Sequence, residues 1–400
     1  MTSFVESCAK TVTGSAAALA RRSRGQPKAR HLLRALADKK KILITSHFHP
    51  DPDALASSLA LCTLLTQRLA AGTSVTVSFK GGIGGGLNEA FARQTELKAA
   101  PWDEAALSSY DAIILVDTQP AFSNNPLPEN VTPMAVIDHH RGRGKRPKCT
   151  FCDIRPDVGA VSSIIFSYFM ELEHRITPDL GATLLYAIES DLAGAAGAPG
   201  ELDNIALSSL TLMADTRKLY KMRYLDLPQN FFISYAQGLA NATCYDDALV
   251  SHLETIPSPE RTAVIADFLL RYDQARWALV TGAIGNTLLI SLRTYAAEKM
   301  SAAELIRKLV RGIGEGGGHR TKAGGVIRLK EGTTAEIDRY RTMLRQRYLR
   351  HLGIKGARAM RLIPRPDGNS PTTAAAKPAN AAASESTAAV ASRKRSAVAG

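Results

Sequence analysis

ITSHFHPDPDALASS, residues 44–58, places His47, His49, Asp51 and Asp53 within seven residues, just where an apolar run ends. Upstream, KKKILITSH reads as a buried strand, with Ile42, Leu43 and Ile44 apolar and β-branched Thr45 following. Downstream, DALASSLALCTLLTQRL reads as a helix whose inward face carries Leu55, Leu59, Leu61, Leu64 and Leu65. The ionisable cluster therefore sits on the turn at the carboxyl end of a strand, where open α/β sheets bind their ligands. Groups crowded this way repel one another unless partners or a cation neutralise them, so a metal ion is the first ligand to consider.

The same pattern recurs along the chain. SVTVSFK, YDAIILVD, MAVIDHH and the shorter CTFCDI read as further strands, separated by helical stretches and followed by AVSSIIFSYFMELEH and PDLGATLLYAIESD. This alternation predicts an α/β fold with a mostly parallel, helix-covered sheet. Several of these strands end in His47, Asp117, Asp138 or His139, so one sheet edge collects ligand-type side chains. A second α/β pattern runs from ERTAVIADFLLRY through WALVTGAIG, TLLISLRT and SAAELIRKLVRGIG to AGGVIRL. The expected organisation is a basic, helical N-terminal extension at 1–39, a catalytic domain at 40–192 and a helical connector at 193–260. A smaller α/β substrate-binding domain at 261–332, a basic helix at 333–365 and a disordered Ala/Ser/Thr/Pro-rich tail at 366–400 follow. Thr333 and Glu336 have the spacing of a capping box at the start of the last helix.

Composition narrows the function. A chain of 400 residues with 45% hydrophobic residues can bury more than one core. No apolar stretch approaches the ~18 residues of a membrane helix, and the polar start MTSFVESCAK lacks a signal-peptide core. Five cysteines suit a reducing cytoplasm better than a disulfide framework. The net charge of +13 is concentrated in the flanks around 20–41 and 339–365, which favours a polyanionic partner. Two other motifs carry less. KGGIGGG at 80–86 lacks the ending of a P-loop, and the single pair Cys149/Cys152 reads as small strand hydrophobes rather than a zinc or redox site.

Reading the first domain for donors gives His47, Asp51, Asp53, Asp117, the Asp138–His139–His140 run and Asp191. Carboxylates and imidazoles without thiolates suit manganese or magnesium rather than structural zinc. The donors are too many for one catalytic ion with an open position and suit two ions ~3.5–4 Å apart, as in phosphoester hydrolysis.

HFHPDPDA, LVD, IDHH and ESD in this order, with SLRT and GEGGGH far downstream, resemble the DHH phosphoesterases that carry a DHHA1 domain, over roughly residues 40–330. The resemblance implies a DHH domain joined to a DHHA1 domain, with substrate in the cleft between, and manganese-dependent hydrolysis of phosphate esters or anhydrides. It implies His47 and Asp51 on one ion, Asp53, His139 and Asp191 on the other, and Asp117 bridging both. His140 is implied beside the scissile phosphate, and Asp138 is read as the partner that orients a histidine ring. Arg293 and His319 are implied to contact substrate phosphate, with Gly316, Gly317 and Gly318 letting backbone amides approach it. Two departures stand out: Leu192 and Ala193 follow Asp191 where a small polar residue and glycine are usual, and Lys322 stands where the family has a small residue.

Within the family the closest resemblance is to the nanoRNase and pAp phosphatase branch. The expected cofactor is a pair of manganese ions, with magnesium as the alternative. The expected partners are short RNA or a nucleotide substrate and no membrane, with a homodimer left open. The alternatives are a manganese pyrophosphatase, another DHH phosphodiesterase such as one for cyclic dinucleotides, and, outside catalysis, a nucleotide-binding regulatory module.

Overall fold

A computed structural model describes residues 28–364, apart from 84–85, 123, 143–146, 193–198, 299, 319 and 357. The expected disordered tail, and most of the expected N-terminal extension, lie outside the described residues. The described residues up to Leu362 belong to one compact unit.

The first lobe opens with helix α1 (Lys28–Ala35), then β1 (Lys41–Thr45), α2 (Pro52–Arg68), β2 (Ser74–Ser78), α3 (Leu87–Arg93) and β3 (Ala99–Ala100). It continues with β4 (Ala112–Val116), β5 (Ala135–Asp138), β6 (Phe151–Ile154), α4 (Val161–Glu171) and α5 (Pro178–Leu192). Its six strands are ordered β3-β2-β1-β4-β5-β6 and all pair in parallel. Such strands are buried on both faces and read as continuous apolar runs; AIILV in β4 is buried at every position. The order reverses direction between β1 and β4, which opens a crevice at their carboxyl ends. The α/β fold with a mostly parallel sheet is therefore present as expected.

Local chemistry sets the helices that border this crevice. Asp51 is the N-cap of α2, its Oδ1 accepting from the backbone N–H of Asp53 at 3.0 Å and of Ala54 at 3.1 Å, and Pro52 occupies the first turn. Helix α4 is buried on all sides, as a central helix of a large core should be. Its own N-cap, Ala160, supplies no side-chain acceptor; Asp53 caps it from α2 instead, accepting from Val161 N–H at 2.6 Å and Ser162 N–H at 2.8 Å. The far end of α4 returns the favour to α1: the buried Glu171 carboxylate accepts from Ala29 N–H at 2.9 Å and Arg30 N–H at 3.0 Å. The described part of the basic N-terminal segment is thus docked, with Ala29, Leu32 and Leu36 buried in the first core.

Helices α6 (Glu201–Met213), α7 (Thr216–Arg223) and α8 (Gln229–Ala240) connect the lobes. The second lobe comprises β7 (Thr243–Tyr245), β8 (Ala248–Thr255), α9 (Arg261–Leu269), β9 (Trp277–Ile284), β10 (Thr287–Thr294), α10 (Ala302–Val310), β11 (Glu315–Gly318), β12 (Lys322–Arg328), α11 (Thr334–Leu352) and β13 (Met360–Arg361). Its sheet runs β11-β12-β10-β9-β8-β7-β13, antiparallel except for the β8–β9 pair. Helices α10 and α11 cover one face and α8 and α9 the other.

Two expected segments are corrected here. The helical reading of 193–260 holds for the described residues only to Ala240; β7 and β8 follow and join the second sheet, turning at Asp246, whose φ of 53° is left-handed. The basic helix expected at 333–365 ends at Leu352. It buries Leu344 and Tyr348 in the second core, and β13 then pairs with β7. The capping box is half made: Thr333 accepts from Glu336 N–H at 3.3 Å, while the Glu336 carboxylate accepts from the N–H groups of Lys330, Glu331 and Gly332.

Candidate metal centre

The crevice between β1 and β4 gathers its donors from five segments. His47 and Asp51 come from the β1–α2 turn, Asp53 from the first turn of α2, Asp117 from the end of β4, Asp138, His139 and His140 from the end of β5, and Asp191 from the last turn of α5. His47, Asp51 and Asp117 offer ligand atoms within 4.8 Å of one another; so do Asp53, His139 and Asp191, and so do Asp117, His139 and His140. Donors ~2.1 Å from one hard ion lie about 3–4 Å apart, so each triad is close to that geometry. Every metal ligand expected from the sequence falls in one of these triads.

Asp117 is the hub. It is 3% exposed and adopts a φ of 58°, a left-handed conformation that a non-glycine residue holds only when its surroundings fix it. His47 Nε2 lies 3.4 Å from its Oδ2, while His139 Nε2 and His140 Nδ1 lie 3.4 and 3.5 Å from its Oδ1. Oδ1 is buried and accepts no hydrogen bond among the described residues. An acceptor buried without a hydrogen bond costs free energy, and a cation between Asp117 and its neighbours would satisfy it. The residues fit a hard divalent ion.

The electrostatics agree. Burial alone would lower His47, yet the Asp117 and Asp51 carboxylates hold it up to about 9, and His139 and His140 are raised against burial in the same way. Burial works against charge on Asp117 too, but the His139 and His47 rings outweigh it and keep the carboxylate well below its usual range. Asp53 is pushed far up, by burial first and then by Asp117 and Asp191. Burial raises Asp191 to about 6, with His139 pulling the other way. Protons here do the neutralising that a metal would do.

Beneath the donors a layer of hydrogen bonds fixes their rings. His47 Nδ1 bonds the Phe48 carbonyl at 2.9 Å and His139 Nδ1 the Val158 carbonyl at 3.2 Å, leaving each Nε2 toward Asp117. Asp138 is fully buried; its Oδ1 pairs with His140 Nδ1 at 2.7 Å and its Oδ2 accepts from Gln119 Nε2 at 2.7 Å. Gln119 Nε2 also reaches the His140 carbonyl at 2.9 Å. Neither Gln119 nor the buried Asp203 is singled out by the sequence reading. Asp203 accepts from Gly159 N–H at 2.6 Å and Gly200 N–H at 2.8 Å, tethering the segment that serves both His139 and Asp53. Gln119 follows LVD by two residues, and that offset was its only signal. Asp203 had none.

The carboxyl-terminal edge of the cluster explains one departure. Leu192 lies against Gly159, where a Cβ would come within 2.3 Å of Leu192 Cδ2. A glycine there makes room for the leucine.

Residues 41–188 match the model of the DHH family, N-terminal domain. This part of the chain is similar to DHH domains. An uncharacterized protein of Methanocaldococcus jannaschii is 28% identical to the chain over 293 residues, covering 73% of the chain and 59% of that relative. The chain spans less than two thirds of its length. An exopolyphosphatase-related protein of Bacteroides fragilis shares the fold, with a TM-score of 0.63 at 17% identity over 81% of this chain and 97% of that one. RecJ of Thermus thermophilus, solved in complex with Mn2+, superposes with a TM-score of 0.50 at 14% identity, over 81% of this chain and 54% of its own.

The substrate residues expected outside the DHH domain are placed on the second sheet. Arg293 in β10 is 9% exposed, its Nε donating to Asp267 Oδ1 at 2.6 Å and its Nη1 to the Leu292 carbonyl at 3.1 Å. Gly316, Gly317 and Gly318 form the edge strand β11. Gly316 serves packing, since a Cβ there would meet Ile306 and Val310 of α10 at 3.1 and 3.2 Å. Gly318 is required by its φ of 147° and by the Ala323 backbone 2.5 Å from any Cβ. His319 lies outside the described residues. Lys322 joins this sheet to the cluster, its Nζ donating to the Asp191 carbonyl at 3.0 Å.

Proposed function

We propose that the protein is a metal-dependent phosphoesterase that hydrolyses short oligoribonucleotides, nucleotide phosphomonoesters such as pAp, or both. The observation that carries this reading is the pair of donor triads His47–Asp51–Asp117 and Asp53–His139–Asp191, joined where His139 Nε2 lies 3.4 Å from a buried Asp117 Oδ1 that accepts no hydrogen bond among the described residues. His47 and Asp51 would hold one ion, Asp53, His139 and Asp191 the second, and Asp117 both; manganese is the first candidate and magnesium the alternative. Bound there, such ions lower the pKa of a water and stabilise phosphoryl charge.

The chain's own residues do the rest. The Asp138 carboxylate accepts from His140 Nδ1 and so fixes the ring, which makes Nε2 the nitrogen that exchanges a proton with a reacting oxygen. Gln119 holds Asp138 from the other side and stops it from turning away. Burial of Asp53, Asp117 and Asp138 keeps competing water from these carboxylates. Arg293 and Gly316–Gly318 on the second sheet are the proposed contacts for a second phosphate, as the DHHA1 resemblance implies.

The test is turnover with added manganese on a dinucleotide RNA, a longer RNA, single-stranded DNA, pAp, pyrophosphate and polyphosphate, with Asp117→Ala as the blank. Cleavage of the dinucleotide that fades with length supports the reading. Bound metal without turnover on any of them replaces it with a binding module, and selective pyrophosphate hydrolysis replaces it with a pyrophosphatase.

A further inference from the structure

Lys322 sits directly opposite Arg293 in the β10–β12 register. Residues paired this way in an antiparallel ladder share one face, with Cβ atoms about 4.5–5.5 Å apart. The second sheet therefore presents two cations side by side, and they are held differently. Arg293 is turned into its own lobe by Asp267. Lys322 crosses to the first lobe and takes the Asp191 carbonyl. That carbonyl belongs to the last turn of α5, where helix carbonyls lack intrahelical partners and a cation is favoured. Asp191 thus has two jobs. Its carboxylate stands in a donor triad, 3.7 Å from His139 Nε2, while its backbone is the anchor of a bond between lobes. The small residue that the DHHA1 resemblance leads one to expect at position 322 could not span this gap.

We propose that Lys322 is a positioning residue that fixes the span between the metal-binding cluster and the Arg293 face of the second sheet, and thereby selects substrates whose two phosphates match that span. The inference rests on the phosphoesterase reading above and adds the determinant of length. Two anchors at a fixed separation favour a ligand that bridges them without further ordering. Loosening the tie leaves each anchor intact but lets the separation vary, so the short substrate loses its advantage.

Wild type is compared with Lys322→Met, which keeps an apolar stem of similar length, and with Lys322→Arg, which keeps the charge. Two quantities are read: the ratio of kcat/KM for a dinucleotide over a pentanucleotide, and amide hydrogen exchange across residues 183–192. In Lys322→Met the ratio should fall about tenfold, the worth of one charge-assisted hydrogen bond. The fall should appear in the dinucleotide KM, exchange at the end of α5 should quicken, and Lys322→Arg should recover most of both. Equal losses at every length, or an unchanged ratio in a folded Lys322→Met protein, overturn the proposal. Wild type that cleaves no diester sinks the phosphoesterase reading instead. The exchange comparison then still decides on Lys322, because unchanged exchange in Lys322→Met means it does not tie the lobes.

Discussion

His47 and His252 are two partly buried histidines in opposite electrostatic settings. His47 faces the Asp117 and Asp51 carboxylates and is raised to about 9 against its burial. His252, on β8 of the second lobe, is lowered to about 4 by burial and then by Arg341 and Arg345, with Thr281 Oγ1 2.8 Å from its Nδ1. The first region concentrates negative charge that calls for a cation. The second concentrates positive charge from α11 and keeps its histidine neutral. Burial is common to both, so the neighbours decide what a buried histidine is for. One region offers donor triads to a cation; the other holds a helix on a sheet.

The comparison breaks first at Asp117. Asp117→Asn keeps a residue that tolerates the left-handed backbone but removes the charge shared by the triads. Activity should fall about 10³-fold or more, and manganese titration by calorimetry should show lost affinity rather than a shifted substrate KM. Retained turnover in a folded variant would remove the shared-carboxylate assignment. Next comes Asp138→Asn, which leaves every donor in place and disturbs only the support of His140. A loss of about 10–100-fold is expected, mostly in kcat, with metal stoichiometry unchanged. Lost metal instead would mean that Asp138 holds a ligand rather than the acid–base ring.

The two regions were unequally legible from sequence. In the first lobe, parallel strands buried on both faces read as apolar runs, and their polar ends mark the sheet edge without further information. Asp117 and His139 stand out because nothing apolar can explain them there. What periodicity could not show was Asp53 capping α4 across 108 residues of chain, or Asp203 tethering Gly159, because a carboxylate that takes distant backbone N–H groups leaves no local pattern. The second lobe was read less well. The polar residues Ser251 and His252 interrupt ALVSHLET, so β8 does not read as a strand and falls within the expected helical connector. In RYRTMLRQRYLRH, arginines outnumber the few residues that pack, and α11 read as a charged flank although Leu344 and Tyr348 are fully buried. Lys322 stands out in the sequence as a departure, but only the fold shows that its partner is a carbonyl of the other lobe.

Metal and pH sharpen the contrast at the first region. A raised histidine gives the metal-free protein stability that is present below its ordinary value of 6.5 and lost as pH rises through about 9. Asp191, raised to about 6, acts in the same direction at lower pH: its protonated form stabilises, and that contribution is lost between 3.8 and about 6. A bound cation replaces these protons, so its binding should release them. Manganese should therefore raise the melting temperature little at pH 5 and progressively more toward pH 9, against matched samples in chelator. Calorimetry in buffers of different ionisation enthalpy should register the released protons. A manganese shift that shrinks as pH rises would contradict the proton-for-metal exchange.

The smallest effect belongs to His252. Because its folded value is depressed, the stability it contributes is present above 6.5 and lost as pH falls toward about 4. In that window the imidazole must either charge against Arg341 and Arg345 or leave its place beside Thr281. Charging it adds a cation beneath α11, whose Arg341 also donates to the Leu253 carbonyl, so the docked helix is what acid loosens. His252→Gln keeps a hydrogen-bonding side chain near Thr281 and removes the titration. Its melting temperature should fall less than that of wild type between pH 6.5 and pH 4, by a few degrees, while manganese still shifts it as in wild type at pH 8. An identical acid slope in both proteins would place the second lobe's acid sensitivity elsewhere. A changed manganese shift would show that the two regions, for all their opposite charge, are energetically coupled.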